Sequence, residues 1–280
     1  MKKILITGGT GFIGAHLVQN LKNNNKIYLI VRKKIKSSDK NVKKIFFRNY
    51  YDLNLKLKKI RADIIIHCAT HYVKNHNYND IEKIISSNIL FGNILLENLK
   101  KMHAKKFINF TTVWENYNSK AGNALNLYSA SKQSFKNIIK YYAVLNKNIK
   151  FYDLFISDTY GKNDKRTKLI NVIKKTISTK KKLLLISKKL SINLTNIQDI
   201  ISAVNIILEK KIKPGSYLLK NNKNYFLGDI IKQISLQKKL KIKWMLKKKI
   251  IEKFYSIKKL PMWNPRFSSK KNLIQFIIND

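Results

Sequence analysis

The sequence has 280 residues, enough to bury a large core, and 58 Lys and Arg against 15 Asp and Glu give a formal net charge of +43. The basic residues run through every expected helix and loop, with abundant Asn and Ile and sparse Gly, Pro and Ala; this pattern fits A/T-rich codons, argues against a dedicated nucleic-acid surface, and still attracts doubly anionic small molecules. A single cysteine, Cys68, excludes an intrachain disulfide and fits a reducing, cytoplasmic setting, and no apolar run approaches the ~18 residues of a membrane span.

The first apolar run, Ile4-Leu5-Ile6-Thr7, leads into glycines at 8, 11 and 14, and an apolar-periodic segment follows (Ile13, Leu17, Val18, Leu21). That pattern is strand, tight turn, helix. Lys2 and Lys3 resemble the basic end of a leader peptide, but the glycine turn cuts the apolar run too short for one. Gly8 can take positive φ, Gly11 admits a pyrophosphate and Gly14 lets the helix sit close on the strand. Unpaired N–H groups at the helix start then face the anion. Gly8, Thr10, Gly11, Phe12, Ile13 and Gly14 are therefore the candidate dinucleotide loop. An ordinary glycine-rich turn is the alternative, and the flanking strand and helix weigh against it.

Lys26 to Val31 reads as the second strand, followed by Arg32-Lys33-Lys34. An acidic residue at this tip would bind the ribose hydroxyls of NAD, whereas an arginine accommodates the 2′-phosphate of NADP. Arg32 favours NADP(H), with NAD(H) as the alternative. Val42 to Phe47 forms a third strand and Asn49 to Asp52 a loop within reach of adenine. The fourth strand, in Ala62 to Thr70, ends in the small residues Ala69 and Thr70, which leave room for a cofactor across the strand ends. His67 reads as a core histidine, and His71 and His76 lie in a loop from which substrate is approachable. No His/Cys/Asp/Glu set has metal spacing, so no metal is expected.

Residues 80–102 read as one long helix, with Asn88 on its apolar side, where a polar group needs a partner. Phe107 to Thr112 is a fifth strand ending in hydroxyls, and Tyr128-Ser129-Ala130-Ser131-Lys132 opens a helix continuing through Ile138, Ile139 and Tyr142. Strands alternating with helices over about 150 residues predict an α/β fold with a doubly wound parallel sheet. Tyr128 and Lys132, four apart, share one helix face. A free phenol titrates near 10, and a fixed ammonium nearby stabilises the phenolate and draws that value toward neutrality. Thr112 can hydrogen-bond the same carbonyl or alkoxide oxygen, whereas the Thr111 side chain points to the opposite face.

Gly8-x-x-Gly11-x-x-Gly14, Asn88, Thr112, Tyr128 and Lys132 together resemble the extended short-chain dehydrogenases/reductases, and the resemblance covers essentially the whole chain. It implies that Tyr128 is the acid/base, that Lys132 holds the nicotinamide ribose, and that Thr112 orients the reacting carbonyl. It also implies a homodimer through the helices near 80–100 and 128–145. A narrower resemblance rests on Phe107-Ile108-Asn109, Thr112-Val113-Trp114, Asn126 to Phe135, Asp158-Thr159-Tyr160-Gly161 and Arg166 to Asn171. These are similar to the CDP-abequose/CDP-paratose synthases, which implies NADPH-dependent reduction of the 4-keto group of a nucleotide-linked deoxyhexose. Dehydratases of the family carry Asp-Glu directly after the threonine, where Val113-Trp114 stands here. Cys68 is misplaced for the Cys/His pair of epimerase-reductases.

In the second half, Phe151 to Ile156 reads as a strand with Asp158 just past its end, facing the expected sugar site. Residues 165–178 form a basic amphipathic segment in which Lys168 and Asn171 are candidates for the nucleotide diphosphate and base. Leu183 to Ile186 and Leu190 to Leu194 are short strands, and Asp199 is an N-cap or first-turn acid. Pro214-Gly215 turns into Ser216 to Leu219, a strand returning to the main sheet. The remainder, with Lys247 to Lys249, reads as a small helical lobe closing over substrate, and Trp263-Asn264-Pro265-Arg266 resembles the family's tail anchor, with Arg266 read as a surface charge and a phosphate contact as the alternative. The expected division is 1–160 for the dinucleotide, with the sheet completed by 192–220, and 161–280 mainly for substrate. The expected function is a reductase acting on a nucleotide sugar for surface polysaccharide. A nucleotide-sugar 4-epimerase and a non-catalytic dinucleotide sensor are the alternatives.

Overall fold

Runs of Ile, Val, Leu and Phe alternate with amphipathic stretches along the first half, and each run becomes a strand of one sheet. The computed structural model describes all residues except 36–38, 252 and 280. In chain order the elements are β1 (Lys2–Thr7), α1 (Phe12–Leu21), β2 (Asn25–Val31), β3 (Val42–Phe46), α2 (Tyr50–Lys58), β4 (Ile64–His67), α3 (Tyr78–Ile85), α4 (Phe91–Glu97), β5 (Lys106–Thr112), α5 (Leu127–Leu145) and β6 (Lys150–Ile156). They continue with β7 (Asp158–Tyr160), α6 (Leu169–Thr179), β8 (Lys182–Ser187), β9 (Leu190–Ile192), β10 (Leu194–Asn196), α7 (Ile197–Glu209) and β11 (Gly215–Leu219). Last come β12 (Tyr225–Phe226), α8 (Leu227–Ser235), β13 (Lys241–Leu246), β14 (Ile250–Ile251) and α9 (Lys270–Asn279).

The main sheet has seven strands in the order β11-β6-β5-β4-β1-β2-β3. The pairs β3–β2, β2–β1, β1–β4 and β4–β5 are parallel. Strand order reverses between β1 and β4, and a crevice opens outside the carboxyl ends of strands at such a reversal. Leu5, Ile65 and Phe107 from the sheet pack with Leu95, Phe135 and Ile139 from the helices in a dry core. Burying such side chains is the main term favouring the fold, at about 1.5–3 kcal/mol each.

Contacts divide the chain into two units, one of Met1–Phe155 with Ile212–Leu218 and Tyr255–Lys258, the other of the remaining segments. In the first, the Tyr152 hydroxyl donates to the Ile212 carbonyl at 2.9 Å, and Leu218 N donates to Lys258 O at 2.9 Å. In the second, β8 pairs with β13 in parallel, β9 lies between β12 and β14, and β10 pairs with β7. Ile170 and Ile173 of α6, Leu185 of β8, Ile230 of α8, and Leu273 and Ile277 of α9 close its core.

Three local expectations are corrected, and for Asp199 the structure decides between cap and first turn. Asn49 to Asp52 is the start of α2: Asn49 Oδ1 accepts from Asp52 N at 2.9 Å, and the Asp52 carboxylate holds Arg48 N and Lys56 Nζ at 2.9 and 2.8 Å. The helix expected over 80–102 ends at Glu97, and a π-turn at Ser86–Leu90 interrupts it around Asn88. The residues after 220 are not helical throughout: α8 and α9 form, but Lys241-Ile242-Lys243-Trp244 alternates with the strand period and forms β13. Asp199 is not the cap of α7; Asn196 is, accepting from Gln198 N. Asp199 sits buried in the first turn, where its carboxylate accepts from Arg266 N at 2.7 Å, Phe267 N at 3.1 Å and the Ser268 hydroxyl. Trp263 Nε1 donates to the Asp199 carbonyl at 2.8 Å, so this one residue fastens the Trp-Asn-Pro-Arg tail. Among the described residues no helix is long and apolar enough to cross a membrane.

Candidate active site

The β1–α1 turn is wedged into its surroundings. Gly8 has φ +67°, and a methyl group there would lie 2.6 Å from Ala69 N, in the chain leaving β4. A methyl at Gly14 would lie 2.3 Å from Gly8 O, so α1 rests directly on the loop. Gly11 is different: its added Cβ would meet only Gly8 O, at 3.3 Å. Gly11 is also the N-cap of α1, with extended backbone and no capping side chain. The helix therefore starts without a side-chain cap beside a bare backbone, with Thr10 and Gly11 exposed and Phe12 and Ile13 half-buried. That arrangement fits the pyrophosphate of a dinucleotide.

Around this loop the strand ends carry small polar groups. Thr7 Oγ1 accepts from Ala69 N at 3.2 Å and bonds His67 Nδ1 at 2.8 Å. His67 is fully buried among Phe91, Phe107 and Phe135, and burial, helped by the Lys132 charge, holds its pKa well below the usual imidazole range. It is a neutral core residue. At the end of β2, Arg32 is exposed; burial pushes the Tyr50 phenol up, and Arg32 is close enough to offset part of that rise.

Asn88 has the partners its place on an apolar face demands. Its Oδ1 accepts from the Thr70 hydroxyl at 2.9 Å and His71 N at 2.7 Å. Its Nδ2 donates to His71 O at 3.1 Å and to Ser131 Oγ at 2.9 Å, and Ser131 in turn donates to Tyr128 O at 2.7 Å. The π-turn thus aims one buried amide at both the exit of β4 and the start of α5, a use such turns commonly have. Ser131 was legible only as the third residue of the Ser-Ala-Ser run, with no sequence signal for its partner.

The start of α5 is fixed by a capping box: Asn126 Oδ1 accepts from Ser129 N and Ser129 Oγ accepts from Asn126 N, each at 3.0 Å. Tyr128 is half-buried, and its ring meets Tyr72 edge-on at 5.0 Å between centroids. Tyr72 also lies 6.0 Å from Trp114. Thr112, buried at the end of β5, accepts from Trp114 N at 3.3 Å. Thr111 is buried as well, and its hydroxyl has no hydrogen-bond partner among the described residues. The Tyr72–Trp114 pair, which joins the β5 exit to the phenol, has no counterpart in the sequence reading, because nothing in spacing links residue 72 to 114 or 128. Lys132 is buried, and burial pulls its pKa down to about 8 against the raising influence of Glu115, Asp153 and Cys68.

The candidates for substrate lie in the second unit. Asp158, at the start of β7, and Lys168, the N-cap of α6, form an ion pair at 3.0 Å. Asn171 Nδ2 donates to Asp164 O and Arg166 O, both at 2.8 Å, and so holds the loop before α6. Among the described residues no three His, Cys, Asp or Glu side chains are placed to hold a metal ion.

Similarity to known proteins agrees with this geometry. CDP-abequose synthase of Yersinia pseudotuberculosis is 29% identical over 209 residues, covering 74% of this chain and 73% of that protein. dTDP-D-glucose 4,6-dehydratase of Dictyostelium discoideum is 30% identical over 246 residues, covering 75% of this chain and 56% of that protein. The UDP-N-acetylglucosamine 4-epimerase of Methanobrevibacter ruminantium M1, solved with UDP-N-acetylmuramic acid, shares the fold with a TM-score of 0.82 at 18% identity, over 99% of this chain and 97% of that one. Residues 4–219 match the NAD dependent epimerase/dehydratase family, from the strand before the glycine loop to the last strand of the main sheet, and the chain belongs to that family.

Proposed function

We propose that this chain is an NADPH-dependent reductase of the 4-keto group of a nucleotide-linked deoxyhexose, a CDP-sugar before others, serving surface-polysaccharide synthesis. The observation that carries the reading is the buried Lys132 four residues after Tyr128 on one face of α5, tied through Ser131 and Asn88 to the loop leaving β4. A bound nicotinamide dinucleotide supplies a hydride to the carbonyl carbon. Gly8, Thr10, Gly11, Phe12, Ile13 and Gly14 form the cradle for its pyrophosphate, Arg32 the contact for a 2′-phosphate, and Ala69, Thr70 and Asn88 the wall along the strand ends. Thr112 donates a hydrogen bond to the carbonyl oxygen and orients it. Tyr128 gives that oxygen its proton, and the Lys132 ammonium stabilises the phenolate left behind.

Val113 and Trp114 follow Thr112, so the turn after β5 offers no acid or base for elimination of water at these two positions. Tyr72 and Trp114 give the site an aromatic wall that suits a deoxygenated sugar ring better than a fully hydroxylated one. In the second unit, Asp158 is assigned to the sugar, and Lys168 and Asn171 to the nucleotide. Ile81, Ile85 and Leu90 around α3, with Tyr141, Val144 and Leu145 on α5, are exposed apolar side chains suited to a homodimer.

The test is incubation of the purified protein with a panel of 4-keto nucleotide sugars, following absorbance at 340 nm. NADPH is expected to be consumed, faster than NADH and with a CDP-linked ketone fastest, by a protein that sediments as a dimer. Arg32→Glu is expected to turn the preference toward NADH. Purified protein that carries bound NAD and interconverts nucleotide sugars without consuming NADPH would instead be a 4-epimerase.

A further inference from the structure

Further along the face of α5 that carries the candidate pair lies a buried cluster of charges that the proposed chemistry does not use. Glu115, in the 3₁₀ turn Val113–Ser119 after β5, is fully buried. Its Oε2 accepts from Lys136 Nζ at 2.6 Å, while its Oε1 has no hydrogen-bond partner among the described residues. Lys136 follows Lys132 by four residues on α5, so the two amines project from neighbouring turns of one face. The Lys136 ammonium also stands 4.6 Å from the centre of the Phe155 ring. Asp153, buried on β6, accepts from Asn109 Nδ2 at 2.8 Å.

A buried carboxylate with an unpartnered oxygen is expensive, and one ion pair repays that only with good geometry and further hydrogen bonds. A purely structural clamp between the turn and α5 would be served as well by an apolar pair. What Glu115 adds is negative charge close to Lys132. The groups that act on Lys132 are Glu115 from the turn, Asp153 from β6 and Cys68 from the exit of β4, and Lys132 itself acts on His67 of β4. Burial pushes the Cys68 thiol up to about 12 and keeps His67 neutral, so neither carries charge near neutrality. Burial pushes the Glu115 and Asp153 carboxyls up from the usual carboxylate range, against the lowering influence of Lys136 and Lys132 on both and of Lys140 on Asp153. With Cys68 a thiol near neutrality, Glu115 and Asp153 are the largest influences that favour the charged form of Lys132 against the burial that draws its pKa to about 8.

We propose that Glu115 is a positioning residue: from the turn after β5 it supplies, together with Asp153, the negative charge that keeps Lys132 an ammonium on the helix face shared with Tyr128. The inference rests on the reading of Tyr128 and Lys132 as the reacting pair. Without Glu115, Lys132 loses its proton at a lower pH, and with it the charge that favours the phenolate and the hydrogen-bond donor offered to the ribose.

The experiment compares wild-type protein with Glu115→Gln, recording NADPH binding by fluorescence and ketone reduction, both from pH 6 to 10. Both alkaline limbs are expected to move down by about one pH unit or more, the scale of a removed neighbouring charge at a buried group. Glu115→Gln/Lys136→Met removes both members of the ion pair and serves where the single variant does not fold; its melting temperature is expected to recover while the limbs stay displaced. A limb that stays at its wild-type pH in either folded variant, or a double variant in which it returns fully, would reduce Glu115 to a structural clamp. Full activity of Tyr128→Phe would instead remove the reading of the reacting pair, whatever the Glu115 variants do.

Discussion

Tyr128→Phe is expected to slow ketone reduction by about 10²–10⁴-fold, the usual contribution of a positioned proton donor. That loss corresponds to about 3–5 kcal/mol of transition-state stabilisation at 1.36 kcal/mol per tenfold. The substitution removes one oxygen and keeps the ring, so the edge-on contact with Tyr72 survives. The bonds that place the start of α5, from Ser131 to the Tyr128 carbonyl and from Asn126 to Ser129, involve backbone and other side chains and also survive. NADPH affinity and melting temperature should therefore stay close to wild type while kcat falls. A parallel fall in NADPH affinity would mean that the hydroxyl holds the cofactor and does not serve in proton transfer.

The second large effect is expected in the glycine loop, and two substitutions separate its parts. Gly14→Ala puts a methyl 2.3 Å from Gly8 O and 2.7 Å from Gly9 Cα. Both are backbone atoms, so α1 must move off the turn. Overpacking of this kind costs about 1–3 kcal/mol of stability, and the displaced helix start loses its aim at the pyrophosphate. Gly11→Ala meets only Gly8 O, at 3.3 Å, and asks of that carbonyl a shift of a few tenths of an ångström, far less than Gly14→Ala asks of α1. Its expected result is a melting temperature near that of wild type with NADPH affinity reduced about tenfold or more, since a factor of ten needs only about 1.4 kcal/mol. Fluorescence titration and thermal melting read both quantities on the same samples. Wild-type affinity in Gly11→Ala would show that no ligand backbone passes over this loop.

The parts of the fold that were legible in sequence are those where one residue type has one physical use. Glycines at 8, 11 and 14 between an apolar run and a helical period leave few alternatives to a strand-turn-helix, and the coordinates place Gly8 and Gly14 where a Cβ would strike backbone. Asn88 could be flagged because a polar side chain on an apolar face must find partners, though the π-turn that aims it left no mark in the pattern. The illegible parts share a cause: with 58 basic residues, a lysine says little about its surroundings. Lysines on α2 hid a helix whose only buried side chains are Leu53 and Leu57. On β13 they were read past, although the Lys-Ile-Lys-Trp alternation carries the strand period. Lys136 has no feature in the sequence that sets it apart from the other lysines, yet it is the partner of a fully buried carboxylate. Asp199 was recognised as a helix-start acid, but its partners lie more than sixty residues away, beyond the reach of local patterns.

The most direct measurement of the central claim is the fate of a deuterium label. The protein is incubated with NADPH deuterated at the transferable position of the nicotinamide and with a CDP-linked 4-keto-deoxyhexose, and the sugar product is examined by mass spectrometry and NMR. A net reductase leaves deuterium on C4 of the product, in proportion to the NADPH oxidised. Finding the label still on the dinucleotide while the sugar is altered or untouched would contradict the account.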